Sequence, residues 1–392
     1  MVQGMDLKQR SASRVDEDSD KLIALSHALH ATPELAFEEH RSAAALVEVL
    51  EDGGMKVETG TGGLETAFRT AAGREGPNVF ICAEYDALPD IGHACGHNII
   101  GSSAVGAGLA LSQLAADLGI RVTVIGTPAE EAGGGKCELI QAGAFDDADF
   151  AMMVHPGPQE IVEMPTLAVA HVEIEFHGRE SHASAYPELG RNALDAMTIS
   201  YAAIAALRQH ILPEERIHGI FTHAGDAPNI VPKHAAAHYY VRAKTREELE
   251  ALLARVTRCF EAGAHATGCE MEMRNKSQPY DRVVHNPTIS GFYDANLKLL
   301  GRDATPPAND RSAGSTDMGN VSAICPAIHP LMSIDSLPAV NHQAEFTAHC
   351  VSEAGDRAVL DAAKAMAYTV IDLATTEGAF ERAREEFDGR NY

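Results

Sequence analysis

Three groups of side chains able to hold a metal ion or move a proton stand out along the chain. The first is Glu84, Asp86, Cys95 and His97, within Ala83-Glu-Tyr-Asp-Ala-Leu-Pro-Asp-Ile-Gly-His-Ala-Cys-Gly-His97-Asn98. A Cys and a His separated by one Gly can turn both side chains to one side of a short loop. A metal-bound Cys is a thiolate, which softens the site. Alone, Cys-x-His is equally the pattern of a buried free thiol beside a surface imidazole. The second group is the adjacent pair Glu130-Glu131, after Gly126-Thr-Pro-Ala129. Two neighbouring carboxylates both stay ionised cheaply only beside a cation. In metal-assisted amide hydrolysis one holds the metal, while the other takes a proton from water and passes it to the leaving nitrogen. The ordinary alternative is an acid-rich helix N-terminus. The third is His155, in Phe150-Ala-Met-Met-Val-His155-Pro-Gly157, where an imidazole is often just a hydrogen-bonded part of the framework.

Each group follows an apolar run of strand length: Val79 to Ala83, Val122 to Ile125, and Ala151 to Val154. A helix of small residues, about Ser102 to Leu118, separates the first two. Strands alternating with helices predict an α/β fold with a mostly parallel sheet. In open sheets of this kind ligands bind beyond the carboxyl ends of the strands. Three strands in succession therefore deliver metal-type side chains to one edge, which chance accounts for poorly.

Upstream, Leu22, Leu25 and Leu29, then Ala43, Leu46, Val47 and Leu50, recur at helical spacing between Ser19 and Glu51. Pro33 interrupts that stretch and Gly53-Gly54 closes it. The first seventeen residues are polar and read as a loose tail. The middle of the chain has another rhythm. Thr166–His177, Ile217–His223, Ala235–Ala243 and Cys269–Arg274 read as strands, and Asn192–His210 and Glu247–Gly263 as helices. That order, βαββαβ, is the ferredoxin-like α+β pattern. A helix over Pro287–Leu300 then resumes the earlier style. The expected organisation is a discontinuous catalytic domain, residues 1–169 and 283–392, with a second domain inserted at 170–282.

The chain's 392 residues suit two domains. Its formal net charge of -25 excludes nucleic acid and anionic membrane as partners, since both need a basic face. Seven scattered Cys, without framework spacing or a targeting segment, point to a reducing cytoplasm. No apolar run approaches the roughly 18 residues of a membrane span.

At this point longer stretches resemble a known family, subfamily D of the M20 peptidases. They are His27-Ala-Leu-His-Ala-Thr-Pro-Glu-Leu-Ala-Phe-Glu-Glu39, Asp86-Ala-Leu-Pro89, His93-Ala-Cys-Gly-His97, Pro128-Ala-Glu-Glu131, His182 to Asp195, Pro228-Asn-Ile-Val-Pro232, and Gly314-Ser-Thr-Asp-Met-Gly-Asn-Val-Ser322. The group includes aminobenzoyl-glutamate hydrolases, indole-acetyl-amino-acid hydrolases and dipeptidases of the β-alanyl-lysine type. The resemblance implies two divalent metals per chain, held by Cys95, His97, Glu131, His155 and His342; thiolate and imidazole softness favours zinc, and carboxylate with imidazole also admits manganese, cobalt or nickel. It implies Glu130 as general base and acid, and Asp86 as the residue that orients a ligand. It implies that the inserted domain is a lid and a dimerisation surface. From it His182 would reach the partner subunit's site and hydrogen-bond the developing oxyanion, supported by Asn229. Arg242 would clamp a substrate carboxylate, with backbone N–H groups at Gly314 and Ser315 assisting.

One departure is Asn98, where members of the subfamily often carry Asp after Cys-Gly-His. The expected activity is hydrolysis of the amide of an N-acyl amino acid or small dipeptide with a free carboxylate, by a homodimer or higher homo-oligomer. A carboxypeptidase or deacylase acting on longer acyl chains is the alternative. A non-catalytic binding protein that kept the fold is a further one, though it need not have kept Glu130 and every ligand.

Overall fold

The computed structural model describes residues 2–306 and 314–390. It divides into two compact units, Met1–Pro165 with Val283–Tyr392, and Thr166–Arg282.

In the first unit a six-stranded sheet runs in the order Val57–Thr59, Phe68–Ala72, Arg121–Gly126, Asn78–Ala83, Phe150–Met152, Ala327–Ile328. The last four strands pair in parallel, and the first two close one edge antiparallel. Asn78–Ala83 is buried along its whole length. Its Val79 and Ile81 enter one apolar cluster and Phe80 and Cys82 another, so both faces of the sheet are covered. That is why the strand reads as an unbroken apolar run rather than an alternation. The helix His97–Ser112 lies in the larger cluster, against Ser19–Ala31 and Glu353–Thr375. Its Ala, Gly and Ser residues let neighbouring elements come close.

The opening segment differs from expectation. Residues Val2–Glu17 form an α-helix, not a loose tail. Leu7, Ser11 and Val15 recur every four residues and are buried, on a helix that packs against Glu353–Thr375. Lys8 Nζ donates to Asp372 Oδ2 at 2.7 Å and to Asn296 Oδ1 at 2.8 Å. The apolar stripe is narrow, so average polarity conceals it.

The second unit is a four-stranded antiparallel sheet in the order Glu270–Asn275, Ala168–His177, His234–Ala243, Arg216–His223. With the helices Ala193–Leu207 and Arg246–Thr267 it has the ferredoxin-like order read from the sequence. Along His234–Ala243, Ala235, Ala237, Tyr239, Val241 and Ala243 point inward in strict alternation. Asn192 caps the first helix by accepting from Leu194 N and Asp195 N. Thr245 and Glu248 form a capping box on the second. Among the described residues no helix is long and apolar enough to cross a membrane.

The two helices of this unit meet at Gly263. A Cβ there would fall 2.2 Å from both Ala196 O and Ser200 Oγ. Backbone on one side leaves little room to yield, so Gly263→Val is expected to destabilise by about 1–3 kcal/mol. Thermal or urea unfolding checks this, and an unchanged midpoint would mean that the helices are free to separate.

Candidate metal centre

Parallel pairing brings the carboxyl ends of Asn78–Ala83, Arg121–Gly126 and Phe150–Met152 to one edge of the sheet. Glu84 and Asp86 follow the first, Glu130 and Glu131 the second, and His155 the third. Cys95 and His97 arrive by a turn whose Gly96 has φ 78° and caps the helix His97–Ser112. A Cβ on Gly96 would lie 2.4 Å from Pro156 Cγ, so glycine is required for conformation and for space. His97 is thus the first residue of the helix, which begins earlier than the Ser102 expected from the sequence.

Three sets of donor atoms lie mutually within 4.8 Å: Cys95, His97 and His155; Cys95, Glu131 and His342; and His97, Glu130 and Glu131. The first two share Cys95. His155 Nε2 is 3.4 Å from Cys95 Sγ, and His342 Nε2 is 3.5 Å from Glu131 Oε1. All five residues expected to be ligands, and Glu130, are therefore brought together. His342 adopts φ 67° and its N–H donates to Ala94 O at 2.9 Å. Asn341 Nδ2 donates to Pro156 O at 3.2 Å beside it. Ala129, just before Glu130, has φ 61°, and its N–H donates to Glu39 Oε1 at 2.8 Å. Such left-handed non-glycine residues persist only where the surroundings hold them.

Asp86 spans two elements. Its Oδ1 is 2.9 Å from His97 Nδ1, and its Oδ2 accepts from Glu131 N at 2.9 Å. His155 Nδ1 is 2.7 Å from the carbonyl oxygen of Pro156. With both Nδ1 atoms engaged as donors, each imidazole turns Nε2 toward the shared space.

The charges are concentrated. Burial raises Glu130 well above the carboxylate range, and Glu84, Glu131 and Asp317 add to it. Burial likewise raises the Cys95 thiol, as does Glu131. Burial opposes a charge on His97, but Asp86 outweighs it and raises that imidazole. Burial and the nearby His97 push His155 down to about 3. Glu84 Oε2, His97 Nε2 and Glu131 Oε1 are buried with no hydrogen-bond partner. Each such atom costs about 1–3 kcal/mol when left unsatisfied. A divalent cation held between His97 and Glu131 would answer two of them, so this thiolate, imidazole and carboxylate set fits a metal site.

The remaining expected residues lie elsewhere. His182, Asn229 and Arg242 belong to the Thr166–Arg282 unit. There Ala183 N donates to Asn229 O at 3.0 Å, and His182 bridges to Ile230, so His182 and Asn229 are neighbours. Arg242 Nε is 3.4 Å from His218 Nε2, and its guanidinium lies over Tyr240. Gly314 and Ser315 precede Asp317 on the first unit.

Sequence reasoning gave no role to Lys136, Asp317 or Glu39. Lys136 is fully buried, with Nζ bonded to Glu84 and, at 2.7 Å, to Asp317 Oδ1. It is the only Lys or Arg between Arg121 and Arg179. A solitary cation in so acidic a stretch was the available signal. Glu39 accepts from Thr66 Oγ1 at 3.0 Å as well as from Ala129 N. Burial, with Asp86 nearby, pushes it up to about 7.

Known proteins share this architecture. A family model described as the peptidase dimerisation domain matches residues 168–267. The chain is 40% identical to the Xaa-Arg dipeptidase of Mus musculus, over 97% of this chain and 92% of that one. It is 26% identical to a p-aminobenzoyl-glutamate hydrolase polypeptide of Escherichia coli, over 95% of this chain and 93% of that one. The crystal structure of a Bacillus subtilis dinuclear metal-binding peptidase from the M20 family superposes with a TM-score of 0.69 at 22% identity, over 92% of this chain and 99% of that one. Fold and donor set together define a metal-dependent amide hydrolase. The chain belongs to the M20 peptidase family.

Replacing Lys136 by Met would leave Glu84 and Asp317 buried without their cation. Breaking a buried ion cluster in this way costs about 3–5 kcal/mol. Chemical unfolding of Lys136→Met is expected to show that loss, and wild-type stability would contradict the buried pairing.

Proposed function

We propose that the chain is a dipeptidase-type hydrolase of small dipeptides or N-acyl amino acids with a free carboxylate, dipeptides ending in a basic residue foremost. The observation that carries this reading is the pair of donor sets sharing Cys95, with Glu130 at their side. The mouse relative, 40% identical, is named as an Xaa-Arg dipeptidase, which supports a dipeptide substrate. The Escherichia coli relative's name supports an N-acyl amino acid as the wider class.

Cys95, His97, Glu131, His155 and His342 would hold two divalent ions, which supply an acidified water and polarise the scissile carbonyl. Thiolate and imidazole favour zinc, and the carboxylate also admits manganese. Glu130 accepts the proton of the attacking water and returns it to the departing amine nitrogen. Asp86 fixes the ring of His97 and, through the Glu131 N–H, the backbone of the second carboxylate. His182, with Asn229 beside it, is assigned the donor role toward the carbonyl oxygen. Arg242 and the backbone N–H groups at Gly314 and Ser315 are assigned to the substrate carboxylate. These substrate-contact assignments rest on the sequence resemblance. Seven free cysteines support a reducing, cytoplasmic setting.

The Thr166–Arg282 unit is proposed to join two copies and to serve as a lid. Support comes from its Arg216–His223 strand, an edge strand carrying Ile220 at 65% exposure and Phe221 at 40%. Tyr201 packs edge-on against Phe221, with ring centroids 5.8 Å apart. An unpaired apolar edge of this kind is a template for a second chain. Ile220→Lys is expected to halve the mass seen by light scattering without lowering thermal stability of the chain. A mass equal to wild type would remove the edge strand from the interface.

The activity test is a panel of dipeptides and N-acyl amino acids, with metal content measured on the same samples. Glu130→Gln is expected to keep its metal and to lose about a hundred- to ten-thousand-fold in kcat. Chelation of the wild type is expected to abolish turnover. Wild-type rates for Glu130→Gln would overturn its assignment, and a metal-loaded enzyme that cleaves no member would overturn the substrate class.

A further inference from the structure

Glu84 starts where the Asn78–Ala83 strand ends, and its side chain is fully buried. One carboxylate oxygen receives Lys136 Nζ. The other, Oε2, has no hydrogen-bond partner and lies 3.6 Å from His97 Nε2. Lys136 is itself held from two directions. Its backbone N–H donates to Asp317 Oδ2 at 2.9 Å, and its Nζ donates to Asp317 Oδ1 at 2.7 Å. None of the three side chains is exposed.

As a stabilising device this triplet is a poor choice, because well-packed apolar residues commonly do as well or better. Nor does packing explain a bare carboxylate oxygen set beside a bare imidazole nitrogen. A buried carboxylate oxygen with no hydrogen-bond partner, set 3.6 Å from His97 Nε2, is a favourable arrangement only with positive charge close by. Lys136 Nζ bonds the opposite oxygen of Glu84 and shares its charge with Asp317, which leaves Oε2 with no hydrogen-bond donor.

We propose that Glu84 is a further metal-facing carboxylate, whose free oxygen strengthens the hold on the cation bound through His97, and that Lys136 and Asp317 are the positioning residues that fix it. Lys136 draws one oxygen back and so orients the other. Asp317 balances Lys136, leaving the charge of Glu84 available to the ion. The inference rests on the metal-hydrolase reading above and adds to the set of residues that the sequence suggested.

The test uses the full chain, stripped by chelation and titrated with Zn²⁺ in a calorimeter, for wild type, Glu84→Gln and Asp317→Asn. Glu84→Gln keeps the size of the side chain and an oxygen for Lys136. It is expected to weaken one of the bound equivalents about ten- to a hundred-fold. Asp317→Asn leaves Glu84 in place and is expected to weaken the same equivalent about ten-fold. Loading with Co²⁺ gives a second readout, in which the visible bands of Glu84→Gln are expected to shift. A role confined to folding would lower the thermal midpoint of the metal-free variant and leave Zn²⁺ affinity and Co²⁺ bands at wild-type values. That result would overturn the proposal. Should Glu84→Gln not fold, wild-type Zn²⁺ affinity in Asp317→Asn would overturn it. If the wild type itself binds neither ion, the metal-hydrolase reading falls first and this inference with it.

Discussion

Carboxylates do not gather inside a protein without positive charge to meet them, because removing each from water costs several kcal/mol. Here Glu84, Asp86, Glu130 and Asp317 are buried at the end of a parallel sheet, with Glu131 nearly so. Lys136 answers Glu84 and Asp317. Asp86 is answered by His97 and by the Glu131 N–H. Glu131 and the free oxygen of Glu84 face imidazole nitrogens at 3.5–3.8 Å. The fold gathers an excess of negative charge at one place, and divalent cations held there would balance it.

The framework makes this arrangement affordable by being stiff where it matters. The strand leading to Glu84 and Asp86 is covered on both faces, so its end is fixed. The helix that begins at His97 lies in the core, so the imidazole cannot swing far from Asp86. Glu39 holds the left-handed turn at Ala129 that aims Glu130. Behind the donors, His329 is buried, lies edge-on to His155 with centroids 5.5 Å apart, and is kept neutral chiefly by burial. Rigid positioning of a metal, a proton acceptor and an amide is the main requirement of this chemistry.

Much of this was legible in the sequence, for definite reasons. Strands buried on both faces leave unbroken apolar runs, and the residues that follow them sit at the ligand edge by topology alone. Inward alternation along His234–Ala243 made the second unit readable in the same way. The N-terminal helix was missed because one residue in four carries its burial. Lys136 was missed because its partners come from distant segments, Asp317 lying 181 residues away in sequence. A lysine announces its pairing only when the fold supplies both anions. The part played by Glu39 was hidden similarly, since it acts through a backbone N–H at Ala129.

The central claim is that buried carboxylate, imidazole and thiolate groups form a dinuclear hydrolytic site. The most direct measurement is stepwise return of metal to chelated protein, following bound metal and dipeptide cleavage on each sample. Activity is expected to rise with loading and to level off at about two ions per chain. Full turnover in protein that holds no metal, or a plateau in metal bound with no cleavage of any amide, would contradict the account.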